Sequence, residues 1–145
     1  MIALLQRVNW ARVQIGQQMH AEIGKGLLVF VGIEKADSEL LADKLLDKIL
    51  SLRVFADAAG KMNLNLHDIT GDLLMVSQFT LAATTDRGLR PGFSSAMPPE
   101  PAQQLYDYLI ASASARHATV RSGEFGADMQ VSLENDGPVT FILRA

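Results

Sequence analysis

Leu27-Leu28-Val29-Phe30-Val31 is an unbroken apolar run, entered through the turn residues Gly24-Lys25-Gly26. A strand with one wet face alternates apolar and polar side chains, so a run without alternation is expected where both faces are covered. The stretch therefore reads as a central strand, and each of its faces needs a cover. Helices that can supply one lie downstream. Asp37 or Ser38 can cap a helix running to about Arg53, with Leu41, Leu45, Ile49 and Leu52 as its apolar stripe. Asp43, Lys44, Asp47 and Lys48 face the other way. Pro99 or Pro101 can open a second helix to about Arg116, burying Leu105, Tyr106, Leu109, Ile110 and Ala113.

Outward from that strand the pattern is mostly β. Residues 2 to 15 read as a strand with a break near its middle, Gly16-Gln17-Gln18 as a hairpin turn, and Met19 to Ile23 as the return. Val54-Phe55 suits a short strand and Asp57 to Gly60 a turn, while Asn63 to Leu66 fits no element clearly. Leu73 to Leu81 reads as a second interior strand, followed by a long loop from Ala82 to Pro98. Loops of that length in compact domains tend to be functional. Further strands are expected near 118–122, 128–134 and 139–144. The fold class is α/β: a mixed, barrel-like sheet of about seven or more strands with two main helices, in one domain spanning 1–145.

Composition narrows the function. Hydrophobic residues make up 48% and charged residues 20% of the 145 residues, a globular balance that can bury roughly 70% of the unfolded surface. The absence of cysteine removes disulfides, thiolate metal sites and a thiol nucleophile, and suits a reducing cytoplasm. A formal net charge of -3 without a Lys/Arg run argues against wrapping duplex DNA, so any nucleic-acid contact should be small and local. Ile2 to Leu5 is too short for a secretory signal, and Leu27 to Val31 is too short to cross a bilayer; no membrane partner is expected.

Conventional catalytic signatures are weak. His20, His67 and His117 lie in unrelated contexts, so neither a metal nor another cofactor is expected. No G-x-S-x-G elbow is present. Two segments stand out instead. Ser77-Gln78-Phe79-Thr80-Leu81 interrupts an apolar strand with polar residues; it is either a strand end bonding its own backbone, or a strand end presenting N–H groups and a hydroxyl to a pocket. Asn135-Asp136-Gly137-Pro138-Val139-Thr140 has the residues of a hairpin turn, and its Gly-Pro bond is of the kind that can be cis.

These segments, with Leu5-Gln6-Arg7-Val8, Gly60-Lys61-Met62-Asn63-Leu64 and Arg90-Pro91-Gly92-Phe93, carry a family resemblance. The chain resembles the bacterial D-aminoacyl-tRNA deacylases, or D-Tyr-tRNA deacylases, from end to end. Five such stretches in order over a matching length are specific where one would be weak. The resemblance implies a homodimer with its active site at the subunit interface, acting on the acceptor end of aminoacyl-tRNA to remove D-amino acids. It implies that Gly137-Pro138 is cis and enters the neighbouring subunit's pocket as a chiral selector, its carbonyls filling the space that an L side chain needs. Selection by exclusion ignores the side chain itself, so many D-amino acids, and glycine, should pass.

The same resemblance makes Arg7 the residue that holds this motif, with Met129, Asn135, Val139 and Thr140 in support. Ser77, Gln78, Phe79 and Thr80 become the catalytic stretch that lines the pocket, where N–H groups near Phe79 and Thr80 stabilise the oxyanion. A threonine nucleophile needs an activating base, and none is visible beside Thr80, so attack by water assisted by the 2′-hydroxyl of the terminal adenosine is preferred. Contacts to the tRNA body, if any, fall to Lys25, Arg87 and Arg90. Two other readings stay open: a non-catalytic binding module using the Ala82 to Pro98 loop, and an amidase acting on free D-amino acid derivatives.

Overall fold

The computed structural model describes residues 1–86 and 88–145; Arg87, one of the cations considered above, lies outside them. The elements in order are β1 (Ile2–Ile15), β2 (Gln18–Ile23), β3 (Gly26–Gly32), α1 (Glu39–Ser51), β4 (Phe55–Ala56), β5 (Met62–Leu64) and β6 (Asp72–Ser77). A 3-10 turn (Phe79–Ala82), α2 (Pro99–Arg116), β7 (Val120–Ser122) and β8 (Gln130–Arg144) complete the chain.

β3 is the central strand that its apolar run predicts. It pairs antiparallel with β1 and parallel with β6, and β6 pairs parallel with β7. Leu27, Val29 and Val31 pack on the helix side with Leu45, Ile49 and Leu109. Leu28 faces the other way, into a second cluster with Val8, Val13, Ile23 and Leu74. Gly26 is required where β3 starts, because a Cβ there would lie 1.9 Å from the Asp72 carbonyl oxygen. The β1–β2 hairpin closes with Gly16 at φ 54° and Gln17 at φ 67°, two positive angles that match the right-handed twist of the flanking strands.

Several expectations shift. The strand expected to reach Leu81 ends at Ser77, because the chain enters the 3-10 turn there. The α1 stripe is rotated: Ala42, Leu45, Leu46 and Ile49 are buried, whereas Leu41 and Leu52 are half-exposed. Part of the unassigned 63–66 stretch belongs to β5, which pairs with β4. The strand near 118–122 is confined to Val120–Ser122.

The largest change concerns the last two strands, which are one. β8 runs beside β1 for its whole length, and the expected hairpin turn is a bulge in mid-strand. Gln6 pairs with Thr140 and Val8 with Asn135, two steps along β1 against five along β8, so three residues are surplus and loop outward. β8 pairs with β1 alone among the described residues, leaving its other edge open, with Phe141 40% and Ile142 63% exposed. No helix of the described residues is long and apolar enough to cross a membrane.

Candidate active site

The last ladder contact of β6 side is the Gln78 N–H donating to the Val31 carbonyl at 2.7 Å. The chain then tightens into the 3-10 turn, closed by the Leu81 N–H on the Gln78 carbonyl and the Ala83 N–H on the Thr80 carbonyl. The first N–H groups of any helical turn have no partner within it. Here those groups belong to Phe79 and Thr80, and neither finds an acceptor among the described residues. They sit where Ser77, Gln78 and Phe79 border a cavity of about 660 Å³.

The cavity is mainly apolar, with Phe30, Val76, Met97, Phe125 and Met129 in its wall. Asp128 is the one ionisable side chain lining it among the described residues, and it is exposed. Phe79 and Phe93 pack against each other in its lining, with ring centroids 5.0 Å apart and the planes tilted by 57°. Phe93 comes from the Ala82 to Pro98 loop, which is stitched down rather than free. Thr84 and Gly92 exchange backbone hydrogen bonds of 2.8 and 2.9 Å, and the Met97 N–H donates to the Ile33 carbonyl at 3.0 Å.

Thr80 departs from expectation. It does not line the cavity; it is exposed, and its hydroxyl accepts from the Gln78 side-chain amide at 2.5 Å. No histidine borders the cavity either. His117 is buried with Nε2 2.7 Å from the Gly71 carbonyl, and His20 and His67 are exposed. No group of three or more metal-ligating side chains is gathered among the described residues.

The second motif lies at the other end of the sheet. Gly137 and Pro138 form the exposed tip of the β8 bulge, joined by a cis peptide bond. Asn135 ties off its base: its carboxamide oxygen accepts the Val139 N–H at 2.7 Å, and its Nδ2 donates toward Gln6 Oε1, the Val139 carbonyl and Thr140 Oγ1. Arg7, 13% exposed, braces the flank. Its Nε donates to the Asp136 carbonyl at 2.9 Å and its Nη1 to the Val54 carbonyl at 2.6 Å. Gly137 has φ 156°, and a Cβ there would lie 2.6 Å from the Val139 nitrogen.

The register measures the gap between the motifs. Val8 pairs with both Gly26 and Asn135, whereas Val31 pairs with Ser77. Five residues of β3 separate those levels, about 16 Å at the rise of a strand. Of the predicted site residues, Ser77, Gln78, Phe79 and Met129 meet at the cavity; Arg7, Asn135, Gly137, Pro138, Val139 and Thr140 meet at the bulge. Sequence reasoning missed Phe93, Phe125 and the Val54 carbonyl. The first two sit in loops without periodicity, and a backbone acceptor leaves no mark in side-chain types.

The family model described as D-Tyr-tRNA(Tyr) deacylase matches residues 4–144. The chain is 58% identical over 143 residues to the D-aminoacyl-tRNA deacylase of Cellvibrio japonicus, covering 99% of this chain and 98% of that one. It is 59% identical over 143 residues to that of Pseudoalteromonas translucida, covering 99% of each. A solved structure described as c-Myc DNA Unwinding Element Binding Protein superposes with a TM-score of 0.96 at 38% identity, covering 100% of this chain and 99% of that one. A probable eukaryotic D-amino acid tRNA deacylase shares the fold, with a TM-score of 0.88 at 15% identity over 99% of this chain and 98% of that one. With a family model spanning nearly its whole length and relatives close to 60% identical, the chain belongs to the D-Tyr-tRNA(Tyr) deacylase family.

Proposed function

We propose that this protein hydrolyses the ester of D-aminoacyl-tRNA, releasing the D-amino acid and free tRNA. The observation that carries the reading is the division of the site between two ends of one sheet. A cleft with two N–H groups that find no partner among the described residues lies at one end, and at the other a braced, outward dipeptide whose base at Asn135 sits about 16 Å further along the strand direction. Within one copy the two do not meet, so the reading requires a homodimer in which Gly137-Pro138 of one protomer enters its partner's cleft. The open edge of β8 and its exposed Phe141 and Ile142 support a second copy on that side.

In that arrangement the Phe79 and Thr80 N–H groups receive the oxyanion formed as the ester carbonyl is attacked. Removing one such donor typically lowers kcat about 10²- to 10³-fold. The nucleophile is water, positioned with the help of the terminal adenosine's 2′-hydroxyl, since the Thr80 hydroxyl has only an amide for company. The partner's dipeptide forms a wall against L side chains. Glycyl-tRNA, with no side chain to exclude, is expected to be cleaved.

The decisive experiment pairs two substitutions at one residue. Thr80→Ala keeps the N–H and should keep most activity on D-tyrosyl-tRNA. Thr80→Pro deletes the N–H at a position where the first turn of a helix tolerates proline, and should lose about 10²-fold. Mixing Thr80→Pro with a Gly137 variant should recover selectivity: the heterodimer joins the one intact cleft to the one intact wall, so it cleaves D-tyrosyl-tRNA at up to about half the wild-type rate and spares L-tyrosyl-tRNA, which the Gly137 variant alone hydrolyses. No recovery in a proven heterodimer, or an acyl group trapped on Thr80, would overturn this mechanism. Failure of the wild-type protein to release D-tyrosine from its tRNA would overturn the function.

A further inference from the structure

A wall by itself does not read handedness. The substituents of a Cα change places when its bond to the ester carbon turns. An L residue held only by its carbonyl can therefore swing its side chain clear of the dipeptide and offer hydrogen or nitrogen instead. Exclusion discriminates only if a third contact fixes the Cα once the oxyanion donors hold the carbonyl. That contact must be common to all amino acids, because the side chain is ignored. The α-ammonium meets both demands, and it is the only cation that every aminoacyl ester carries at that end.

A carboxylate that could receive it stands in the same cleft. The Gly123 N–H donates to the Met75 carbonyl at 2.8 Å, and the chain then leaves β7 for a short excursion that returns at Met129. The neck of that excursion is closed. A Cβ on Gly123 would lie 2.7 Å from Met129 Sδ and 3.5 Å from Cγ1 of Val76, the residue before Ser77. Inside the excursion the Ala127 N–H donates to the Glu124 carbonyl at 3.3 Å and Gly126 takes φ 77°. The Phe125 ring lies 5.9 Å from that of Tyr106 on α2. This frame sets Asp128 in the wall of the cavity that Ser77, Gln78 and Phe79 also line. Asp128 is exposed, and it forms no ion pair among the described residues.

We infer that Asp128 is a specificity-determining residue of the deacylation site: its carboxylate receives the substrate's α-ammonium and so holds the Cα against rotation. The inference rests on the reading of the Phe79 and Thr80 N–H groups as oxyanion donors and of the partner's dipeptide as the wall, and it adds the third point of attachment. A carboxylate has the wrong sign for a phosphate. Among the described residues it is also the one ionisable side chain in a mainly apolar lining, so charge enters the cleft at a single place. A charge-assisted contact to an ammonium is stronger than one to the ribose hydroxyls or the adenine amino group, the neutral donors of the terminal adenosine. Every D-amino acid carries the ammonium, as glycine does, so anchoring it leaves the tolerance for side chains intact.

Asp128→Asn keeps the shape of the side chain and removes its charge. On D-tyrosyl-tRNA, kcat/KM should fall about tenfold, chiefly through KM. L-tyrosyl-tRNA does not use the anchor and should be cleaved no more slowly than by the wild type, so the preference for D over L should also fall about tenfold. The matched probe is the tRNA ester of the D-2-hydroxy acid that corresponds to tyrosine, in which a hydroxyl of similar size replaces the ammonium. With that ester, the wild type and Asp128→Asn should agree within about threefold, the remainder being a neutral hydrogen bond. An equal loss on the two esters, an unchanged preference for D over L, or full wild-type kcat/KM on D-tyrosyl-tRNA would overturn the role. Wild-type hydrolysis of D-tyrosyl-tRNA that ignores Asp128 would remove the anchor and leave the function standing; no wild-type hydrolysis would remove both.

Discussion

Arg7 bonds the Asp136 carbonyl through Nε and the Val54 carbonyl through Nη1, so it ties the bulge to the segment entering β4. A guanidinium reaches two acceptors from fixed positions, and a single ammonium does not. Arg7→Lys should therefore behave like a loss, lowering stability by about 1.5–3 kcal/mol in chemical denaturation. Rejection of L-tyrosyl-tRNA should weaken with it. Gly137 answers to a different constraint, the absence of room. With a Cβ 2.6 Å from the Val139 nitrogen, Gly137→Ala must move backbone, at about 1 kcal/mol or more. Crystallography of that variant should find the bulge displaced and the β1–β8 pairing on either side unchanged. Neither constraint was legible in the residue types alone. Arg7 looked like one cation among 13 Lys and Arg, and Gly137 like one turn glycine among 11; their roles came from the family likeness and their geometry from the fold.

Among the elements, the β4–β5 hairpin is organised by one carboxylate. Asp57 Oδ1 accepts the N–H groups of Ala59 and Lys61 at 2.9 and 3.0 Å, and Oδ2 accepts from the Asn63 side chain at 3.4 Å. The Lys61 N–H, then that of Ala59, hold the Asp57 carboxyl below its ordinary 3.8 against the opposing effect of desolvation. The sign follows: the support this carboxylate gives is complete above 3.8 and is lost as pH falls through the lower folded value. Titration followed by NMR should show the Ala59 and Lys61 amides responding in that acid window, and Asp57→Asn should abolish the response. An unbroken apolar run and an amphipathic stripe are legible in the sequence, as β3 and α2 show, although in α2 Ala102 is buried and the expected Ile110 is only half-buried. β8 was read as two strands because Asn-Asp-Gly-Pro is turn chemistry, and a bulge uses the same residues while the neighbouring strand keeps pairing. The rotated α1 stripe has a similar cause: Ala42 and Leu46 complete a face wider than the narrow stripe at 41, 45, 49 and 52.

For the whole molecule, a net charge of -3 limits how nucleic acid is held. A protein gripping only a terminal adenosine and its ester neutralises one or two phosphates. The slope of log kcat/KM against log salt should then be about -0.7 to -1.4, the value for one or two contacts on a single strand. A much steeper slope would reveal a surface for the tRNA body. The α/β class and its two helices were open to inspection in the sequence, because burial on two faces and amphipathic spacing are local patterns. The separation of the cleft from the dipeptide was not, since it depends on which strand lies beside which.

That separation has an arithmetic of its own. On the proposed mechanism each chain carries both halves of the machinery and is unable to join its own, so working sites would arise only when two molecules meet. Below the dissociation constant of the pair, output scales with the square of protein abundance. A twofold fall in expression would then remove about three-quarters of the proofreading capacity, a sensitivity that dilution assays can read directly.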